Sequence, residues 1–345
     1  MIYSVGIDIA SEKFDVVFKE EVQGIIKIKG SKNFSNNAKG FGELLQWSQK
    51  RQKNGYDLLF VMEATGVYHE NLCYFLYDQK EKVKVVLPQK VKYYAKSLNI
   101  KTKTDKVDAG IIAEIGLERS RKLRGWQPPS KQFKAIRDIS REVTRLKKSK
   151  SAAASQVHAL QAGHESFPEV VDVAQRHQEN LGDLINELED LLLDKVKEDE
   201  KLYEKLKKIS TIKGLGILSA IKIIAETNGF LLFDNIKQVV SYAGLDIIER
   251  QSGKYNGKSR LSKKGNAYLR QILYMPAVSA ATHNKKLKNV YGRLNEKFIH
   301  KKQSLVAVMR KLLVLTYTLW KNGQEYNPNH QWQGEKRKRE VALPR

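Results

Sequence analysis

Short apolar runs and amphipathic stretches alternate along the first hundred residues. In "YSVGIDIA", Val5, Ile7 and Ile9 recur at every second position, the period of a β-strand. "FDVVF" and "GIIKIKG" follow as further strand patterns, set apart by polar turns. "NAKGFGELLQWSQKRQ" changes to helical spacing, and "YDLLFVMEATG" returns to a buried-strand run that ends at a turn. "VYHENLCYFLYDQ" is helical again, and "KVKVVLP" is a strand stopped by Pro88. Three strands, helix, strand, helix, strand and helix predict an α/β domain whose first strands form an antiparallel meander. Pro128 and Pro129 break the pattern, so this domain is placed at residues 1–128.

Residues 129–208 read as a helical or coiled-coil linker region. "LINELEDLLLDKVKEDEKLYEKLKKI" spaces its apolar residues three and four apart with dense charge between them. A third, mainly helical domain is placed at 209–323. It opens with "KGLG" between two helical patterns, which is similar to a helix-hairpin-helix element, although an ordinary tight turn between packed helices fits the same residues. "YAGLDIIERQSGKYNGKSRLSKKG" is glycine-rich and basic and reads as a loop before a further helix. Residues 324–345 form a charged tail.

Charge narrows the possible partners. Over 345 residues the net charge is +24, which favours a polyanion: DNA, RNA or an anionic membrane. Membrane insertion is disfavoured, since "SLVAVMRKLLVLTYTLW" is broken by Arg310 and Lys311 and no signal pattern opens the chain. Cys73 is the single cysteine, which excludes an internal disulfide and a cysteine-built zinc site. A cytoplasmic, nucleic-acid-associated protein is the class this composition predicts.

Within so basic a chain, the placement of certain carboxylates is informative. Asp8 lies inside an apolar strand, where a charge is costly unless it is paired or bound to a metal. Glu63 ends another apolar strand, a usual position for function in an α/β sheet. Asp105 and Asp108 in "KTDKVDAG" share one helix face, about 5–6 Å apart at Cβ. Flanking Lys103 and Lys106 could neutralise that pair, but four converging carboxylates suit Mg²⁺, a hard cation with oxygen ligands. Glu12 and Asp15 rank below Asp8 because they flank the first strand pattern.

The ordered set of Asp in the first strand, Glu at a later strand end and Asp-x-x-Asp on a helix resembles RNase H-like nucleases of the Holliday-junction resolvase (RuvC) type. Taken with "GIDIASEKFDV", "MEATGVY", "KTDKVDA", "YAGLDIIERQSGK" and "RLSKKGNAYLRQIL", the whole chain resembles the DEDD-type transposases of the Piv/MooV insertion-sequence family (family 110), some of which are bridge-RNA-guided recombinases. The resemblance implies an RNase H-like first domain and a Mg²⁺-binding tetrad of Asp8, Glu63, Asp105 and Asp108. It further implies a nucleophilic Ser252 in the loop "RQSGK", forming a covalent phosphoserine with DNA, and a homodimer or homotetramer working with a structured guide RNA. Ser259 and Ser262 are the rival serines. Lys254, Lys258, Arg260, Lys263 and Lys264, with Arg270 in the following helix, are the expected nucleic-acid contacts. Two other readings compete: a Mg²⁺-dependent junction nuclease that makes no use of Ser252, and a non-catalytic nucleic-acid-binding protein.

Overall fold

A computed structural model describes residues 2–53, 55–64, 66–253 and 255–329, with the side chains of residues 256 and 258 outside that description. Lys254, the side chain of Lys258 and most of the basic tail therefore lie outside the described residues. The chain divides into two compact units, Met1–Pro128 and Pro129–Arg345.

In the first unit, β1 (Ile2–Ile9), β2 (Lys13–Val22) and β3 (Ile25–Ser35) pair antiparallel. The β2–β3 turn is two residues, Gln23 and Gly24, both at positive φ (53° and 79°), which suits the twist of a tight hairpin. After α1 (Ala38–Gln49) comes β4 (Asp57–Glu63), parallel to β1, and after α2 (Glu70–Asp78) comes β5 (Lys82–Val86), parallel to β4. Each parallel pairing thus follows a helical crossover. The sheet order is β3-β2-β1-β4-β5: the expected antiparallel meander, extended by two parallel strands. Pro88 does not merely stop β5; it opens α3 (Pro88–Ser97) in the first turn, where its missing N–H costs nothing.

Strand alternation gives the sheet two different cores, one on each face. Tyr3, Val5 and Ile7 pack with Phe41, Leu44, Leu72 and Leu76 from α1 and α2. On the opposite face, Leu59 and Val61 of β4 pack with Ile111, Ile112 and Ile115 of α4 (Asp105–Arg119). Thr104 caps α4, its hydroxyl accepting from the Val107 N–H at 3.2 Å.

The second unit is mainly helical. α5 (Lys131–Ala162) and α6 (Pro168–Lys197) run antiparallel, with Gln132 reaching the Lys195 carbonyl and Lys147 pairing with Glu189 at 2.8 Å. Val143, Leu146 and Ala153 form their seam with Leu181 and Ile185. Then come α7 (Glu200–Ser210), α8 (Ile217–Glu226) and α9 (Ile236–Tyr242). A hairpin follows, β6 (Ile247–Ser252) with β7 (Tyr255–Leu261), and then α10 (Ala267–His283), α11 (Lys285–Asn295) and α12 (Lys301–Asn322). Isoleucines, leucines and Phe230 from α7 to α10 and α12 fill the core. The "KGLG" turn joins α7 to α8, and its first glycine has a packing reason. Gly214 sits at φ +99° with an added Cβ only 2.5 Å from the Ala280 Cα of α10.

The stretch expected to be a loop, residues 247–261, is instead a two-stranded ribbon. Ile247, Ile248 and Tyr255 are strand-favouring residues, and Gly253 at φ +54° supplies the bend after Ser252. The lysines and glycines that suggested a loop are tolerated because the ribbon is largely exposed.

Candidate active site

Three acids form a row across adjacent strands. Asp8 of β1 lies directly opposite Asp15 of β2. Ile7 aligns with Met62 of β4, so Glu63 is next to Asp8 one residue further along both strands. Paired residues of neighbouring strands share a face, and this row belongs to the face covered by α4. The path of α4 fixes what stands above it. An added Cβ at Gly116 would meet the Ser4 hydroxyl at 2.1 Å, and one at Gly6 would lie 2.1 Å from the Ala109 carbonyl oxygen and 2.2 Å from the Ala113 nitrogen. Thus α4 runs antiparallel to β1, and its N-terminal turn, with Asp105 and Asp108, falls at the Asp8 end.

The electrostatics follow from that geometry. The Asp8 carboxyl is pushed up to about 6, first by burial and then by Asp108, Glu63, Asp105 and Asp15. Burial also raises Asp108; Lys103 opposes the shift and Asp105 adds to it. The amino end of α4 offsets part of the repulsion, since negative side chains are favoured in a first helical turn. At the other end of the interface the charges are paired, Lys19 with Glu114 at 2.6 Å.

All four tetrad acids therefore lie close enough for the other three to disturb Asp8. Among the described residues, however, no group of three or more His, Cys, Asp or Glu side chains is arranged to hold one metal ion. The donor set nonetheless fits a hard divalent cation: oxygen ligands only, from three adjoining elements, at a site whose negative charge is already raising a carboxyl. Asp15 carries more weight here than its rank in the sequence suggests. It does not flank the first strand but faces Asp8 from the second, and the short link between Ile9 and Lys13 is the signal that points to it.

In the second unit Ser252 is the last residue of β6, exposed, and paired with Tyr255 across the bend. Arg260 is exposed on β7, and Lys263 and Lys264 are exposed just beyond it. Ser262 has a local role, its hydroxyl accepting from the Lys264 N–H at 3.1 Å. Arg270, expected to contact nucleic acid, is half-buried and also bonds within the fold. Its Nη1 donates to the carbonyls of Ala243 at 2.9 Å and Gly265 at 3.2 Å, fastening the base of the ribbon to α10.

That base also carries a polar network that sequence patterns do not reveal. Glu226, its side chain 1% exposed, takes a forked pair of bonds from Arg141, Nε to Oε1 at 2.7 Å and Nη2 to Oε2 at 3.0 Å. Asn266, the N-cap of α10, donates to Glu226 Oε2 at 2.7 Å, and the Tyr242 hydroxyl donates to the Glu226 carbonyl at 3.1 Å. Arg141 lies over the Tyr268 ring at 4.7 Å. The available clue is Glu226 closing the apolar run "IKIIAE", the same kind of signal that Asp8 gives.

Comparison with known proteins places this arrangement. A DEDD transposase model of the IS110 group matches residues 5–164, and a model described as the IS116/IS110/IS902 transposase family matches residues 206–292. The chain is an enzyme acting on DNA, of the transposase and DNA-inverting recombinase class. It is 30% identical over 325 residues to the pilin gene-inverting protein of Moraxella bovis, covering 94% of this chain and 97% of that one. It is 26% identical over 224 residues to the transposase for insertion sequence element IS1111A of Coxiella burnetii, covering 58% and 60%. The chain belongs to the IS110 family of transposases. Among solved structures, Thermus thermophilus RuvC in complex with a Holliday junction substrate aligns with 36% of this chain and 100% of its own, at 10% identity and a TM-score of 0.28. No helix among the described residues is long and apolar enough to cross a membrane.

Proposed function

We propose that this enzyme cuts and rejoins the DNA of a mobile element through a covalent phosphoserine at Ser252, with Mg²⁺ held by Asp8, Glu63, Asp105 and Asp108. The observation that carries the reading is the gathering of carboxylates from β1, β4 and α4 around Asp8, raised to about 6 by burial and by its neighbours. Mg²⁺ bound there would neutralise the cluster and polarise a phosphate oxygen. Ser252 at the bend of an exposed ribbon has a hydroxyl open to a phosphodiester. Attack by its oxygen forms a serine–phosphate bond to the 5′ phosphate and releases the 3′ oxygen of the cut strand. One ester replaces another, so resealing needs no external energy source. Arg260, Lys263 and Lys264, with Lys254 and Lys258 of the same segment, are proposed to hold the flanking phosphates.

Similarity to a gene-inverting protein and to an insertion-sequence transposase suits inversion, excision and insertion alike, all of which are breakage and rejoining. A structured guide RNA and a homodimeric or homotetrameric assembly complete the proposal; they rest on the family resemblance and on the chain's net charge of +24.

The test is trapping of a covalent protein–DNA adduct with Mg²⁺, the cognate element ends and RNA transcribed from them. Wild type should form the adduct. Ser252→Ala should bind DNA without forming it, and Asp8→Ala should lose strand exchange. Cleavage without adduct, unchanged by Ser252→Ala, would replace this reading with a hydrolytic junction nuclease. Binding with no cleavage by any form would leave a non-catalytic nucleic-acid-binding protein.

A further inference from the structure

The connector between α11 and α12 is not accounted for by the proposed chemistry. Residues 296–303, "EKFIHKKQ", are exposed throughout. Ile299 is 93% exposed, the most exposed large apolar side chain among the described residues, and its neighbour Phe298 is 41% exposed. A solitary exposed isoleucine is ordinary on a protein surface. Here, though, two adjacent apolar side chains stand at a connector flanked by Lys297, Lys301 and Lys302, all exposed. Among the described residues these three lysines have no carboxylate partner. From residue 251 to residue 324 the sequence holds sixteen Lys and Arg against one acid, Glu296.

Such a surface is complementary to a polyanion, and its apolar tip says which kind. Proteins that work from the minor groove insert Phe, Leu, Ile or Met between base steps and kink the duplex, with basic side chains on the adjoining phosphates. We infer that the α11–α12 connector is a DNA wedge, with Phe298 and Ile299 entering between base steps of duplex DNA and Lys297, Lys301 and Lys302 gripping the phosphates on either side. The inference rests on the chain's action on DNA, but it is independent of whether Ser252 is the nucleophile.

The test uses the full chain and an end-labelled duplex of about 30 base pairs containing flexible TA steps, in chelator so that no cleavage intervenes. Energy transfer between the end labels reads the bend, and anisotropy over a KCl series reads affinity. Wild type should bend the duplex by about 20–90°. Ile299→Ala, at a side chain that packs against almost nothing, should keep the wild-type melting temperature and lose much of the bend. Phe298→Ala with Ile299→Ala should abolish the bend. Lys297→Gln with Lys301→Gln and Lys302→Gln should flatten the plot of log K against log[salt] by up to about 2.7, three phosphate contacts at about 0.9 each. A wild-type bend in both apolar variants would overturn the wedge, as would an unchanged salt slope in the lysine variant. So would an apolar variant that bends DNA normally but shifts sedimentation toward smaller species, which would make the connector a contact between copies of the chain. Loss of bending with intact adduct formation, or the reverse, separates this inference from the serine reading.

Discussion

Replacing Asp8 by asparagine tests whether the carboxylate cluster is strained when no cation is bound. The Asp8 carboxyl titrates at about 6 in the fold against an ordinary 3.8. That difference of about two pH units, at about 1.36 kcal/mol each, corresponds to at most about 3 kcal/mol. Asp8 is only half-buried, so solvent screening lowers what the shift is worth. The sign follows from proton counts. Between pH 3.8 and about 6 the folded state holds the proton more tightly than the unfolded chain, so stability falls as pH rises through that window. Below 3.8 the penalty is absent, and above about 6 it is complete. The asparagine carries no charge but keeps a polar group that needs partners, so the expected gain in metal-free buffer near neutral pH is about 1–2 kcal/mol. For a unit of this size that is a rise of about 3–10 °C in the melting transition of the N-terminal unit. Scanning calorimetry of wild type and Asp8→Asn should show this gap at about pH 7.5 and less than about 0.5 kcal/mol of it at about pH 4. Millimolar Mg²⁺ should then raise wild type more than the variant, by about 2.7 kcal/mol if the ion is present at a hundred times its dissociation constant. An Asp8→Asn protein no more stable than wild type at neutral pH without metal would refute the reasoning, as would a gap that persists undiminished at acid pH.

Three further substitutions probe the framework. Gly6→Ala places a methyl group 2.1 Å from the Ala109 carbonyl oxygen. It must push α4 off the sheet, so a loss of about 2–4 kcal/mol is expected in chemical denaturation, and a loss below about 0.5 kcal/mol would show the seam to be loose. Glu226→Ala leaves the part-exposed Arg141 guanidinium and the Asn266 amide without their buried acceptor, which should cost about 2–3 kcal/mol in urea unfolding, and Glu226→Gln should recover part of it. Gly214→Ala combines φ +99° with a Cβ 2.5 Å from the Ala280 Cα, and it should lower the melting temperature of the second unit by several degrees while Gly216→Ala, with nothing within 4 Å, should not.

Much of this is legible in the chain. Alternating and continuous apolar runs locate the five strands of the first unit, and Asp8 and Glu63 stand out because a charge in or at the end of an apolar strand requires a reason. Other features are hidden, for a physical reason. Which residue of β2 faces Asp8 is set by the register of a hairpin, and Gly6 marks helix contact only when its distant partners, Ala109 and Ala113, are known. The ribbon carrying Ser252 reads as a loop because its lysines and glycines are loop-like in composition, whereas cross-strand pairing outweighs composition on an exposed two-stranded element. Arg141 and Glu226 are eighty-five residues apart in sequence, so no local pattern joins them. Arg270 adds that a basic residue near a basic loop can also bond to the backbone around it, which composition does not show.

The seam between α4 and β1 has one more consequence. Helix and strand meet backbone to backbone at Gly6, so there is no compressible layer of side chains between them. A key in a keyway has no intermediate positions, and a slip of α4 by one turn, about 5.4 Å, would carry Asp105 and Asp108 past Asp8 altogether. Assembly of the carboxylate site is therefore a discrete event. Damage to the seam should lower the number of competent molecules while each survivor works at the full rate.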